Sequence, residues 1–240
     1  MANQFTRTAL LLGQENVEKL KNCRVAVFGI GGVGGHCAEA LCRCGIGTID
    51  VFDGDVVDIT NINRQLIATH NVIGQDKVNV MRERLLEVNP EVKVNTHKLF
   101  YLPETSGTVD LTLYDYVIDA VDTMTAKIEL VCRATASKVP IISSMGAANK
   151  LDPTAFAITD IYKTSECPMA RIMRRELRKR NVKSLKVVYS KEKPHKHHPS
   201  TPQPNPTQNK AYPTPASVSF VPPVSGLIMA GEVVKDLLGL

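Results

Sequence analysis

Apolar and polar positions along the first two thirds of the chain switch between two periods. Residues 24–30 form an almost unbroken apolar run, the pattern of a parallel strand covered on both faces. Residues 34–44 follow with helical spacing, and Gly45 supplies the left-handed stop. A second strand spans 48–52 and ends at Asp53. Residues 76–88 carry Val78, Met81, Leu85 and Val88 on one helical stripe, closed by Pro90. A short strand at 92–96, a strand at 116–120, a helix at 127–137 and a strand at 140–143 continue the alternation. Strands alternating with helices imply right-handed crossovers. The expected fold is α/β and Rossmann-like, a mostly parallel sheet with helices on both faces.

The remainder is patterned differently. Residues 156–161 and 185–190 read as strands around a basic helix at 169–180, in which Met169, Ile172, Met173 and Leu177 form the buried face. The stretch 194–215 contains Pro194, Pro199, Pro202, Pro204, Pro206, Pro213 and Pro215, so it can neither pair in a sheet nor form a helix and reads as a loop. A strand at 217–220 and an apolar helix at 224–238 then return to the core. The predicted organisation is one domain over residues 1–240. It has a nucleotide-binding core at 1–160, a basic helix, strand and Pro-rich loop at 161–216, and a returning strand and helix at 217–240.

Composition narrows the class. With 240 residues, 43% hydrophobic and 22% charged, the chain can bury one substantial core. No apolar run approaches the roughly 18–20 residues that span a bilayer, and Leu10-Leu11-Leu12 is too short for a secretory core. A cytoplasmic protein without membrane contact is expected. The six cysteines form no CxxC pair, so no structural zinc is expected, and six free thiols are. His195, His197 and His198 read as solvated loop residues without acidic partners. Charge is distributed unevenly. Between Lys163 and Lys210 thirteen Lys/Arg face three acids, a balance of +10 against −5 for the rest. Such a segment favours a polyanion, and Arg171, Arg174, Arg175, Arg178, Lys179 and Arg180 are its candidate nucleic-acid contacts.

The candidate chemistry begins at Gly29-Ile30-Gly31-Gly32-Val33-Gly34. There Gly29 permits the bend, Gly31 and Gly32 let backbone N–H groups approach a phosphate, and Gly34 allows close helix–strand packing. Asp53, at the next strand end, is placed for ribose hydroxyls. Asn61, Arg64, Gln65 and Lys77 add polar groups and cations beyond the ribose, which a triphosphate needs and a nicotinamide dinucleotide does not. Asp122 follows a parallel strand and is the candidate Mg²⁺ ligand, whereas Asp119 reads as structural. Together these residues point to ATP attacked at its α-phosphorus.

This set, with Asp53-Gly54-Asp55 and Asn61-Ile62-Asn63-Arg64-Gln65, resembles the ThiF/MoeB superfamily, relatives of the ubiquitin-activating enzymes. The resemblance implies carboxylate adenylation with Mg-ATP, with Asp55 among the nucleotide contacts. It also implies a homodimer in which Arg7 enters the partner's site. Within the superfamily, the stretches 159–164, 168–171, 187–192 and 217–222 resemble the tRNA threonylcarbamoyladenosine dehydratases. That likeness implies tRNA as substrate, adenylation of the threonyl carboxylate and an intramolecular ring closure that needs no enzyme nucleophile. Three alternatives stay open at this level: an adenylyltransferase for a sulfur-carrier or ubiquitin-like protein, a non-catalytic RNA-binding scaffold, and, more weakly, a nicotinamide oxidoreductase. A monovalent cation beside the nucleotide and a sulfur-transfer partner protein are also left open.

Overall fold

A computed structural model describes residues 2–198, 200 and 215–240. Most of the Pro-rich stretch anticipated at 194–215 lies outside the described residues. Seven strands build one sheet: β1 (Arg24–Phe28), β2 (Thr48–Phe52), β3 (Lys93–His97), β4 (Tyr116–Asp119), β5 (Ile141–Ser144), β6 (Phe156–Asp160) and β7 (Lys186–Ser190), in the order β3-β2-β1-β4-β5-β7-β6. Every pairing is parallel except that of β6 with β7. The helices are α1 (Thr6–Leu12), α2 (Gln14–Lys21), α3 (Gly34–Cys44), α4 (Lys77–Val88), α5 (Met124–Ala136), α6 (Pro168–Lys179) and α7 (Pro222–Leu238).

Strand β1 shows why the runs are so apolar. Val25 and Val27 enter the core shared with α3, α4 and α7, while Ala26 and Phe28 enter the core on the opposite face with α5. With a side-chain period of two and helices on both sides, every position must be apolar. A third core gathers Met173 and Leu177 of α6 with Val187 and Tyr189 of β7. Because β7 pairs with β5, the basic segment is built into the main sheet rather than appended to it.

Strand β2 buries a charge within the sheet. Asp50 on β2 is fully buried and accepts hydrogen bonds from Arg24 at 3.0 and 2.8 Å and from Asn95 at 3.0 Å, and it lies 3.0 Å from His97 Nε2. Burial pushes this carboxyl up, but the bonds from Arg24, Asn95 and His97 outweigh that and hold it below the ordinary range.

The strand expected at 217–220 is absent. These residues form an irregular segment and a turn leading into α7, whose first two residues are Pro222 and Pro223. Alternation at 217–220 imitates a strand, but Asn149 and Asn63 hold the backbone of 216 and 217 instead of a neighbouring strand. Helices α1 and α2 were not anticipated. No residue of α1 is fully buried, and only its last residue, Leu12, packs against the main core among the described residues.

Candidate functional site

Chain order dictates where a cleft must form. From β1 the chain moves outward to β2 and β3, then crosses back to place β4 on the other side of β1. Loops at the carboxyl ends of β1 and β4 therefore diverge and leave a crevice, the position where open α/β sheets bind ligands. A cleft of about 760 Å³ lies there, lined among others by Gly31, Gly32, Asp53, Asn61, Arg64, Gln65, Lys77 and Asp122. The structure thus gathers Gly29, Gly31 and Gly32 with the predicted acids and cations around one cavity, whereas Gly34 does not line it.

The glycine turn is built by steric necessity. Gly29 has φ +89°, and a Cβ there would sit 2.7 Å from the Ala120 carbonyl oxygen. A Cβ on Gly34 would fall 1.8 Å from the Gly29 oxygen, so α3 can start only with glycine at that position. Gly31 is different. The nearest atom to a Cβ there is Gln65 Nε2 at 3.9 Å, so protein packing leaves that side open towards the cleft. Space kept clear beside backbone N–H groups at a helix N-terminus fits a phosphate.

Asp53 locks two turns together. Its carboxylate accepts from the backbone N–H of Ile30 at 2.7 Å and of Asp55 at 2.9 Å, and Lys77 Nζ lies 3.8 Å away. Burial raises its pKa, opposed by Lys77 and those backbone donors. Lys77, itself buried, donates to Asp55 at 3.0 Å, so its partners are Asp55 and Asp53.

The short helical turn Ile59–Asn61 is closed by a capping box. Asp58 accepts from Thr60 N, and Asn61 Oδ1 accepts from Asp58 N at 3.1 Å. This leaves the Asn61 amide nitrogen for a ligand. Arg64 is half-buried and donates to the Thr60 carbonyl at 3.1 Å and to Asn63 Oδ1 at 2.8 Å. Gln65 is buried, and among the described residues its Oε1 has no hydrogen-bond partner. An orphaned amide oxygen in a cleft wall costs about 1–3 kcal/mol unless something fills it. A ligand group that donates a hydrogen bond would satisfy it.

Asp122 is exposed at the opposite lip, where its charge opposes the depression that burial imposes on Arg64. Beneath it lies a buried ion pair that spacing alone does not reveal. Lys127 Nζ is 2.9 Å from Asp119 Oδ2, and both side chains are 0% exposed. Lys127 also donates to the Val121 carbonyl at 3.0 Å, and the Val121 N–H reaches Asp119 at 3.3 Å. The pair pins the turn that presents Asp122. Asp119 is structural, as expected from its register.

The cleft has two further walls. One is apolar, with Leu99, Phe100, Leu102, Val121 and Ala126. Phe100 is 58% exposed, and a Cβ on Gly54 would meet its ring at 2.5 Å. An exposed phenylalanine after β3 was a signal in the sequence, but nothing there tied it to the glycine turn. The other wall comprises Ser144 to Ala148, Met169, Pro215, Ser217 and Pro222. Met169 opens the first turn of α6, so the basic helix starts at the cleft. Ala170, Met173 and Leu177 form its buried face, whereas Ile172 is exposed.

The cations of α6 are not equivalent. Arg174 points inward and donates to the carbonyl and hydroxyl of Thr164. Arg175, Lys179 and Arg180 surround Glu176 at 3.0, 3.1 and 3.0 Å. Arg178 lies over the Tyr162 ring at 5.1 Å. Arg171 is exposed. His195, expected without an acidic partner, pairs with Glu192 at 2.7 Å. Arg7 is exposed on α1 and does not line the cleft of its own chain. Among the described residues no helix is long and apolar enough to cross a membrane.

The chain is similar over most of its length to known proteins. The tRNA threonylcarbamoyladenosine dehydratase of Bacillus subtilis (strain 168) is 46% identical over 243 residues, which cover 99% of this chain and 96% of that protein. Its namesake in Escherichia coli (strain K12) is 38% identical over 175 residues, 73% of this chain and 65% of that protein. Among solved structures, that of the Escherichia coli tRNA N6-threonylcarbamoyladenosine dehydratase TcdA in complex with ATP superposes with a TM-score of 0.86 at 31% identity. It covers 98% of this chain and 94% of that one. The ThiF family model matches residues 5–240, glycine turn and basic helix alike, and the chain belongs to the ThiF family.

Proposed function

We propose that this chain is an ATP-dependent tRNA threonylcarbamoyladenosine dehydratase, acting in the cytoplasm on the modified adenosine next to the anticodon. The observation that carries the reading is the convergence of Asn61, Arg64, Gln65 and Lys77 on one glycine turn, in a chain 46% identical to such a dehydratase over almost its whole length.

The chemistry follows from the walls of the cleft. Leu99, Phe100 and Leu102 offer an apolar slot for adenine, and Asp53 stands beside the ribose position. Backbone N–H groups at Gly31 and Gly32 hold phosphate oxygens. A threonyl carboxylate oxygen attacks the α-phosphorus, the bond to the bridging oxygen breaks, and pyrophosphate leaves. Arg64 and Lys77 stabilise the charge that builds up on the departing group, while Asn61 and Gln65 orient it. A nitrogen or oxygen of the carbamoyl group then attacks the acyl carbonyl, AMP departs and a ring closes, for a net loss of water. Closure is intramolecular, so orientation supplies the acceleration and no cysteine nucleophile is called for.

Asp122 fits a Mg²⁺ ligand, since this ion takes one or two carboxylates and otherwise phosphate and water oxygens. When bound, the ion supplies charge neutralisation across the phosphates. The tRNA would lie along α6, with Arg171, Arg175, Arg178, Lys179 and Arg180 on phosphates and the target nucleoside entering past Met169. Arg174 supports that surface from within. A homodimer fits α1, where Leu10 and Leu11 are 83% and 85% exposed, and Arg7 on the same helix would complete the partner's cleft.

The test is mass spectrometry of tRNA nucleosides after incubation with the protein and Mg-ATP. The threonylcarbamoyl nucleoside should lose the mass of one water, and an unchanged nucleoside would refute the assignment. Arg64→Ala should slow that loss by about 100-fold or more, since each charge-assisted bond contributes about 1.5–3 kcal/mol. A fully active variant would remove Arg64 from the site.

A further inference from the structure

Asn63 sits one residue before Arg64, and its amide is used on both sides. Its Oδ1 accepts from Arg64 Nη1 at 2.8 Å. Its Nδ2 donates to the Ser217 carbonyl at 3.0 Å and to the Ser217 hydroxyl at 3.3 Å. Residues 216 and 217 are tied to the far wall as well. The Ala216 N–H donates to Asn149 Oδ1 at 2.9 Å, and the Asn149 N–H donates to the Ala216 carbonyl at 2.7 Å. Asn149 holds φ +59°, a left-handed conformation that a non-glycine residue keeps only where its surroundings fix it. Ser217 and the loop before Asn149 both line the cleft. A two-residue strap therefore bridges the two walls, and Asn63 is its link to the arginine.

We infer that Asn63 is a positioning residue. It fixes the Arg64 guanidinium against the strap at residues 216–217, so that the fork faces the phosphates before they arrive. This rests on Arg64 acting on the nucleotide as proposed above. The physical case is pre-organisation. A guanidinium has four rotatable bonds above Cα, and an arginine free to turn must be ordered in each transition state. Among the described residues Arg64 has two acceptors, the Thr60 carbonyl and Asn63 Oδ1. The carbonyl is a fixed part of the turn, whereas Asn63 brings in a distant segment of the chain. Asn63 is itself exposed and sits in no core, so replacing it leaves the fold without a cavity.

The experiment uses the full-length protein, threonylcarbamoyl-modified tRNA and Mg-ATP, with AMP release followed at saturating tRNA. Asn63→Ala should lower kcat about tenfold or more, the loss expected for one hydrogen bond to a charged group. The KM for ATP should stay within about threefold, because the glycine turn and Lys77 still hold the nucleotide. Asn63→Gln, which keeps donor and acceptor, should recover part of the rate. The decisive readout is the Arg64→Ala background, where adding Asn63→Ala should cause no further loss. Full activity of Asn63→Ala, or additive losses in the double variant, would overturn the inference while leaving Arg64 in place. A fully active Arg64→Ala would overturn both. Unchanged melting of Asn63→Ala separates a positioning loss from an unfolding one.

Discussion

Replacing Lys127 with methionine is the sharpest test of how the Asp122 lip is built. Lys127 and Asp119 are both fully buried at 2.9 Å, so the substitution preserves bulk but strands a carboxylate in an apolar core. Breaking one side of a buried pair costs about 3–5 kcal/mol. For a domain of this size each kcal/mol moves the midpoint by about 2–4 °C, so Lys127→Met should melt roughly 6–20 °C below the parent. The residual acceptor bonds from Ser143 and the Val121 N–H place the result toward the lower half of that range. Sign and pH window follow from burial, which already raises the Asp119 pKa against the pull of Lys127 and Ser143. Without Lys127 that rise grows. A raised carboxyl pKa destabilises above the unfolded value, so the deficit grows as pH rises above about 4 and closes as pH falls back toward it. Adding Asp119→Asn removes the stranded charge and should restore over half the loss, as an order-of-magnitude expectation. Scanning calorimetry at neutral and mildly acidic pH reads all three outcomes. A Lys127→Met protein within about 1 kcal/mol of the parent would refute the buried-pair reasoning.

Four other expectations follow from named contacts. Asp50 has a lowered pKa because bonds from Arg24, Asn95 and His97 outweigh its burial, so its contribution is present above about pH 4 and lost as pH falls through its folded value. In acid titrations of unfolding free energy, Asp50→Asn should be less stable at neutral pH yet show a flatter decline below about pH 4; a slope equal to the parent's would exclude Asp50 as a source of acid lability. Gly34→Ala puts a methyl 1.8 Å from the Gly29 carbonyl, so calorimetry should find ATP binding weakened at least about tenfold, whereas parental affinity would mean the turn is not rigid. Leu10→Glu with Leu11→Glu should leave the fold intact and give monomers by sedimentation, since both are exposed in the single chain. Mixing Arg7→Ala with Arg64→Ala subunits should recover about a quarter of the parental rate if Arg7 acts across a two-fold interface, and none if it acts within its own chain.

The sequence was legible wherever one local rule governed. Strand β2 and helix α3 fall on the expected residues because an apolar run, a glycine start and a glycine stop define them without outside help. The site set was legible for a related reason: residues at strand ends β1, β2 and β4 must converge once the sheet is parallel. What escaped depended on partners far along the chain. Alternation at 217–220 could not announce that Asn63 and Asn149 would claim that backbone. The six cations from Arg171 to Arg180 looked alike in sequence, yet Glu176 gathers three and Thr164 turns one inward. Helix α1, with no fully buried residue, gave periodicity nothing to find.

Helix α7 has a consequence for how the protein is made. A Cβ on Gly226 would lie 2.2 Å from the Val33 carbonyl, so α7 rests directly on the backbone of the glycine turn. During translation, at about 5–20 residues per second, that turn emerges many seconds before its support does. A nascent chain that has not yet released Gly226 lacks the backing that shapes the phosphate cradle. The cradle is therefore completed late in biogenesis, once Gly226 has emerged and packed on Val33.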